Sequence, residues 1–103
     1  MSKYGLHSKL KSKAGSSEIL AQILFEAAEL VSTAKGCRLY LISKDKTDND
    51  AVWVTEVWDT KEDHDNSLNN EAVKALISQA LPLIEGMPEK GQELEILGGK
   101  GID

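Results

Sequence analysis

The sequence predicts an α+β domain in which one antiparallel sheet of four strands carries its helices on a single face. Three observations predict it: short β-rich segments recur four times, two helical stripes separate them, and the strands are apolar on both sides while the helices suffice to cover one. Each element follows from its residues.

Tyr4 to Lys11 alternates in part, with Tyr4, Leu6, Ser8 and Leu10 on one side and Gly5, His7, Lys9 and Lys11 on the other, which reads as a first strand. Ala14-Gly15-Ser16-Ser17 breaks this pattern and offers a serine cap. Ile19, Leu20, Ile23, Leu24, Ala27, Leu30 and Val31 then recur at helical spacing, so a helix is expected from about Ser17 to Ala34, with Gly36 placed for a left-handed C-terminal cap. Cys37 to Ser43 and Ala51 to Trp58 are β-rich runs joined by the polar segment Lys44 to Asp50, an antiparallel hairpin. Asp59-Thr60 ends the third strand and caps a helical segment beginning near Lys61. A longer helix is expected from about Asn70 to Ile84 along the stripe Ala72, Val73, Leu76, Ile77, Ala80 and Leu81, loosened in its last turn by Pro82, which lacks the backbone donor. Gly86, Pro88 and Gly91 mark a loop, Glu93 to Leu97 a fourth strand, and Gly98-Gly99-Lys100-Gly101 a flexible tail.

The order strand, helix, strand, strand, helix, strand is the ferredoxin-like βαββαβ arrangement, and residues 1–103 read as a single domain. Val52 and Val54 point to one face of the third strand, Trp53 and Val57 to the other. A second copy of the chain is the simplest cover for the face without helices.

Composition narrows the function. The chain has 103 residues, 41% hydrophobic and 28% charged, an ordinary globular mixture. Seventeen acidic against twelve basic residues give a net charge of −5, and the basic cluster Lys9, Lys11, Lys13 reads as the solvated face of a strand, which argues against a nucleic-acid partner. No apolar run reaches the roughly 20 residues of a membrane span. Met1 to Ala14 lacks the apolar stretch of a signal peptide, so a cytoplasmic location is expected. Cys37 is the single cysteine, which excludes an intrachain disulfide and a cysteine zinc cage; it reads as a small buried residue opening a strand. His7 and His64 have no metal-ligand spacing, and the Asp45, Asp48, Asp50 segment lacks the length and closing glutamate of an EF-hand, so no metal is expected. His7, on the lysine side, reads as a surface or interface residue.

Glu56 and Trp58 share a strand face with Val52 and Val54, and His64 follows six residues later at the corner between sheet and helix. An indole, a carboxylate and an imidazole therefore converge near one edge of a helix–sheet cleft, a usual place for a ligand. Taken singly, each has a plain structural alternative: a core tryptophan, an ion-paired glutamate, a capping histidine.

The run Val52-Trp53-Val54-Thr55-Glu56-Val57-Trp58-Asp59 resembles the third-strand signature of the antibiotic biosynthesis monooxygenase family, in which a strand ends in Glu-x-Trp or Glu-x-Tyr before an acidic helix start. Downstream, His64-Asp65-x-Ser67-Leu68, Glu71-Ala72-Val73-x-Ala75-Leu76-Ile77, Leu81-Pro82-Leu83-Ile84 and Leu97-Gly98-Gly99-Lys100-Gly101 are similar to a subgroup of small quinol monooxygenases. The element order agrees from Tyr4 to Gly99. The resemblance implies a homodimer, the dimeric α+β barrel, with a cavity in each subunit between sheet and helices. It also implies oxidation of a small quinol or phenolic aromatic by molecular oxygen without flavin, haem or metal, His64 serving as the catalytic base and Trp58, Glu56 and Val54 contacting substrate. Where a family member carries an asparagine four residues before the cavity tryptophan and a tyrosine six after it, this chain carries Val54 and His64. Haem-degrading relatives keep an axial histidine on the second helix and an asparagine in the first strand, a pattern that departs from this one. The alternative to an enzyme is a non-catalytic dimeric small-molecule-binding or stress-related module of the same fold.

Overall fold

In a computed structural model, residues 2–86 and 91–102 are described. The elements run β1 (Lys3–Lys11), α1 (Ser17–Val31), β2 (Cys37–Lys44), β3 (Ala51–Trp58), α2 (Lys61–Ser67), α3 (Glu71–Ala80), a 3-10 turn (Leu81–Leu83) and β4 (Gln92–Ile96). The sheet has the order β2-β3-β1-β4, every neighbouring pair antiparallel. This is the ferredoxin-like α+β arrangement expected from the element order.

β3 is the inner strand on which the sheet is built. Its partners on β1 run from Tyr4 opposite Trp58 to Lys11 opposite Ala51, and on β2 Tyr40 stands opposite Glu56 and Ile42 opposite Val54. Directly opposed residues share a face, so Tyr4, Leu6, Ser8 and Leu10 lie with Val52, Val54, Glu56 and Trp58 on the helix side. There Leu20, Ile23, Val52, Ala80 and Ile84 form one buried cluster, and Val31, Trp58 and Val73 a second nearer the start of β1. The other face carries His7, Leu41, Trp53, Thr55 and Leu94, and none of the described helices is packed on it; Leu41 and Leu94 are 51% and 45% exposed.

The helix ends differ from the sequence reading for identifiable reasons. α1 stops at Val31, three residues before Ala34, because the Ser32 hydroxyl takes the Glu29 carbonyl (2.7 Å) and a tighter bond from the Ala34 amide to the Val31 carbonyl (2.9 Å) replaces the helical ladder. Ser16 stands at the N-cap but makes no side-chain capping bond. Gly36 is left-handed, at φ 81°, and closes the turn after the helix rather than the helix itself. A side chain there would collide with the Asp63 carboxylate, while the Gly36 carbonyl accepts from the Asp59 amide at 2.8 Å, so this glycine lets the end of β3 and the start of α2 close on the start of β2.

α2 and α3 are capped by side chains: Thr60 accepts from the Asp63 amide, and Asn70 accepts from the Ala72 and Val73 amides. α3 gives way at Ala80 to the 3-10 turn holding Pro82, so the expected helix to Ile84 is shortened where the proline removes its donor. β4 begins and ends one residue before the expected Glu93 to Leu97. Pro88, read as a loop residue, lies outside the described residues. No described helix is long and apolar enough to cross a membrane.

Candidate active site

Two-residue periodicity along β3 puts Val54, Glu56 and Trp58 in one row under the helices, and the Thr60 cap starts α2 two residues after the strand. His64 thereby falls on the turn of α2 that faces back across the sheet, its amide bonded to the Thr60 carbonyl and its own carbonyl accepting from Ser67 Oγ at 2.6 Å. All four residues singled out in the sequence lie on the helix side, and three of them meet.

The Trp58 indole donates from Nε1 to Glu56 Oε1 at 3.0 Å. The same carboxylate oxygen lies 3.7 Å from His64 Nε2, too far for a hydrogen bond. On its other side the imidazole places Nδ1 2.9 Å from Asp65 Oδ1. The His64 ring meets the edge of Trp58 with centroids 5.9 Å apart and Tyr4 at 5.5 Å. The His64 and Glu56 side chains are 13% and 9% exposed and Trp58 is fully buried, so the cluster is nearly closed. Val54, 5% exposed, lies two residues before Glu56 on the same strand face, between Ser8 and Ile42.

Burial sets the electrostatics. Loss of solvent raises Glu56 above the ordinary carboxylate range, and the Trp58 hydrogen bond and His64 only partly offset this. Burial also raises Tyr40, opposite Glu56, and the Cys37 thiol, whose environment therefore disfavours the reactive thiolate. Tyr4 is pushed up to about 12 by burial first and then by its 2.9 Å hydrogen bond to Glu93. Asp65 moves the other way, held low by His64 and then Lys61.

Tyr4, whose ring meets that of His64, also lines a groove of about 460 Å³ with Lys3, Asp59, Thr60, Lys61 and Glu93. A second groove of about 560 Å³, between α1 and β2 at Ala21, Phe25 and Ile42, lies away from these ionisable groups. His7 is on the opposite face of the sheet, stacked on Trp53 at 4.7 Å with Nδ1 3.0 Å from Thr55 Oγ1. Asp45 is occupied within its turn and by the Trp53 indole, and among the described residues no group of three or more His, Cys, Asp or Glu side chains is arranged to hold a metal ion.

Sequence reasoning did not single out Tyr4, Tyr40 or Asp65 for this site. The strand pairing that sets Tyr4 against Trp58 and Tyr40 against Glu56 is the signal that locates the tyrosines.

A four-stranded antiparallel sheet with a carboxylate–indole–imidazole cluster under its helices defines a small ferredoxin-like domain with a candidate acid–base site. Residues 4–79 match the family model for antibiotic biosynthesis monooxygenases, and the chain belongs to that family. A candidate antibiotic biosynthesis monooxygenase from Chloroflexus aurantiacus J-10-fl is 38% identical, with a TM-score of 0.88 over 98% of this chain and 99% of that one. Proteins of the same description from Caulobacter crescentus CB15 (18% identity, TM-score 0.85, covering 94% and 92%) and Nitrosomonas europaea (15%, 0.86, covering 92% and 90%) share the fold. A comparison with curated proteins finds no match.

The raised carboxyl of Glu56 has a thermodynamic consequence. A group whose folded pKa lies above its unfolded value binds more protons in the native state, so its contribution is complete below about 4.5 and declines as pH rises through the folded value. The stability difference between the parent and Glu56→Gln, measured by urea unfolding from pH 4 to 8, is expected to move against the parent as pH rises, by at most about 1.4 kcal/mol per pH unit, the ceiling for one proton. A difference that is flat, or that moves in the parent's favour, would contradict the burial argument.

Proposed function

We propose that the protein is a cofactor-independent monooxygenase that oxidises a small quinol or related phenolic aromatic with molecular oxygen. The observation that carries this reading is the His64 imidazole held beside a buried carboxylate and two aromatic rings, one of which, Tyr4, also lines an open groove. In this reading the Tyr4 ring turns aside to open the cluster to that groove. A flat aromatic ring can then pack against Trp58 and Val54 while its hydroxyl meets His64 Nε2.

Deprotonation makes the substrate electron-rich enough to pass an electron to oxygen directly, and a dry site protects the intermediates. The quinol supplies every electron. One oxygen atom becomes a ring substituent, the other leaves as water with two hydrogens taken from the quinol, and the product is the hydroxylated quinone, so no external reductant enters. Membership of the family and the 38% identical relative described as a monooxygenase support the reaction class.

The working unit in this reading is a homodimer. Leu41, Trp53 and Leu94 on the sheet face without helices supply apolar surface for a second copy, giving a closed α+β barrel. Light scattering at micromolar concentration is expected to give twice the chain mass; a monodisperse single-chain mass would refute the dimer.

Oxygen uptake by metal-free protein, followed with a panel of reduced quinones, tests the chemistry. His64→Ala is expected to lower turnover of the best quinol by about 10²- to 10⁴-fold while leaving the oligomer unchanged, the usual contribution of a positioned base. Turnover equal to the parent between pH 6 and 8 would remove His64 from the reaction. Binding of quinols with no oxygen uptake above the uncatalysed rate would make the protein a binding module instead.

A further inference from the structure

The two nitrogens of the His64 ring face different carboxylates under different constraints. Nδ1 lies at hydrogen-bonding distance from Asp65, 2.9 Å, whereas Nε2 lies 3.7 Å from Glu56, beyond it. Asp65 is half exposed and also accepts from Lys61 Nζ at 3.1 Å, so its negative charge is hydrated and paired. Glu56 is buried, and the oxygen nearest the imidazole already accepts the Trp58 indole proton. A neutral imidazole has one ring proton, and that proton belongs on the nitrogen with an accepting partner in reach.

We infer that Asp65 is a positioning residue: it holds the His64 proton on Nδ1 and leaves the Nε2 lone pair facing the buried side of the site, where a substrate hydroxyl can reach it. The inference rests on the reading of His64 as the proton acceptor. Without Asp65 the ring is free to carry its proton on Nε2 and turn it toward Glu56, which removes the accepting lone pair. Trp58 supports the same arrangement from the other side by engaging Glu56 Oε1. When the substrate O–H bond breaks and the Nε2–H bond forms, the electron pair stays on the phenolate oxygen and the new imidazolium faces the Asp65 carboxylate, the orienting logic of a carboxylate–histidine pair. Ring contacts with Tyr4 and Trp58 limit rotation of the imidazole.

Long-range ¹H–¹⁵N correlation spectra of the histidine rings, recorded above the ordinary imidazole range in the parent, Asp65→Asn and Asp65→Ala, read the tautomer directly. His7, on the opposite face of the sheet, is the internal control. The parent is expected to show His64 protonated at Nδ1, and Asp65→Ala to lose that pattern with turnover reduced about 10- to 100-fold, the range for partners that orient an active histidine. Asp65→Asn, whose amide oxygen accepts the same bond without charge, should retain the tautomer and part of the activity, which separates the effect from misfolding. A parent ring protonated at Nε2, or a spectrum unchanged in Asp65→Ala, overturns the inference. Loss of the tautomer with undiminished turnover supports Asp65 as the orienting group and overturns the role of His64 in the reaction.

Discussion

The constraint on which the site depends is the burial of the Glu56 carboxyl group beneath the helices. A carboxylate removed from water needs donors within reach or it takes up a proton. Here the indole of Trp58 supplies one hydrogen bond, and the imidazole of His64 supplies a polarisable neighbour 3.7 Å away. Trp58 therefore fills the core and satisfies the buried polar group at once, which accounts for a fully enclosed tryptophan whose indole N–H is not left unpaired. Glu56 in turn gives the end of the sheet a titratable group in a dry setting.

The backbone brings these groups together by short-range means. Residues two apart on β3 share a face, Gly36 permits the close approach of β2 and the start of α2, and the Thr60 cap sets the phase at which His64 returns to the sheet. The cluster sits among packed side chains from β1, β2, β3 and α1 rather than on a loop, with Val31, Tyr4, Cys37 and Tyr40 against Trp58. Support of that kind holds an acid–base constellation within narrow limits. The two faces of the sheet divide the labour: one carries the cluster, and the other, with His7 stacked on Trp53, is the surface assigned to a second copy.

Much of this was legible in the chain. The succession of elements, the hairpin, the cap at Thr60, and the common face of Val54, Glu56 and Trp58 follow from local periodicity and side-chain chemistry, which do not depend on distant residues. Tyr4 and Tyr40 were not legible as neighbours of the cluster, because their placement depends on which residues pair across strands far apart in the chain or across a bulged hairpin, and register is a property of the assembled sheet. The contact of His64 with Asp65 depends on a rotamer that packing against Tyr4 and Trp58 selects. The early end of α1 has the same character: Ser32 competes for a helical carbonyl, a choice that spacing alone leaves open.

The proposed ligand lies under the helices, and the protein's two tryptophans report on the two faces of the sheet separately. Indole ¹⁵N–¹H resonances of the protein can be followed during anaerobic titration with a quinol, which allows binding without turnover. Trp58 is expected to shift with saturation while Trp53, bonded through its own indole to Asp45 on the opposite face, stays fixed. A titration in which Trp53 moves and Trp58 does not, or in which neither responds to any quinol that the protein turns over, would contradict the site proposed at Glu56, Trp58 and His64.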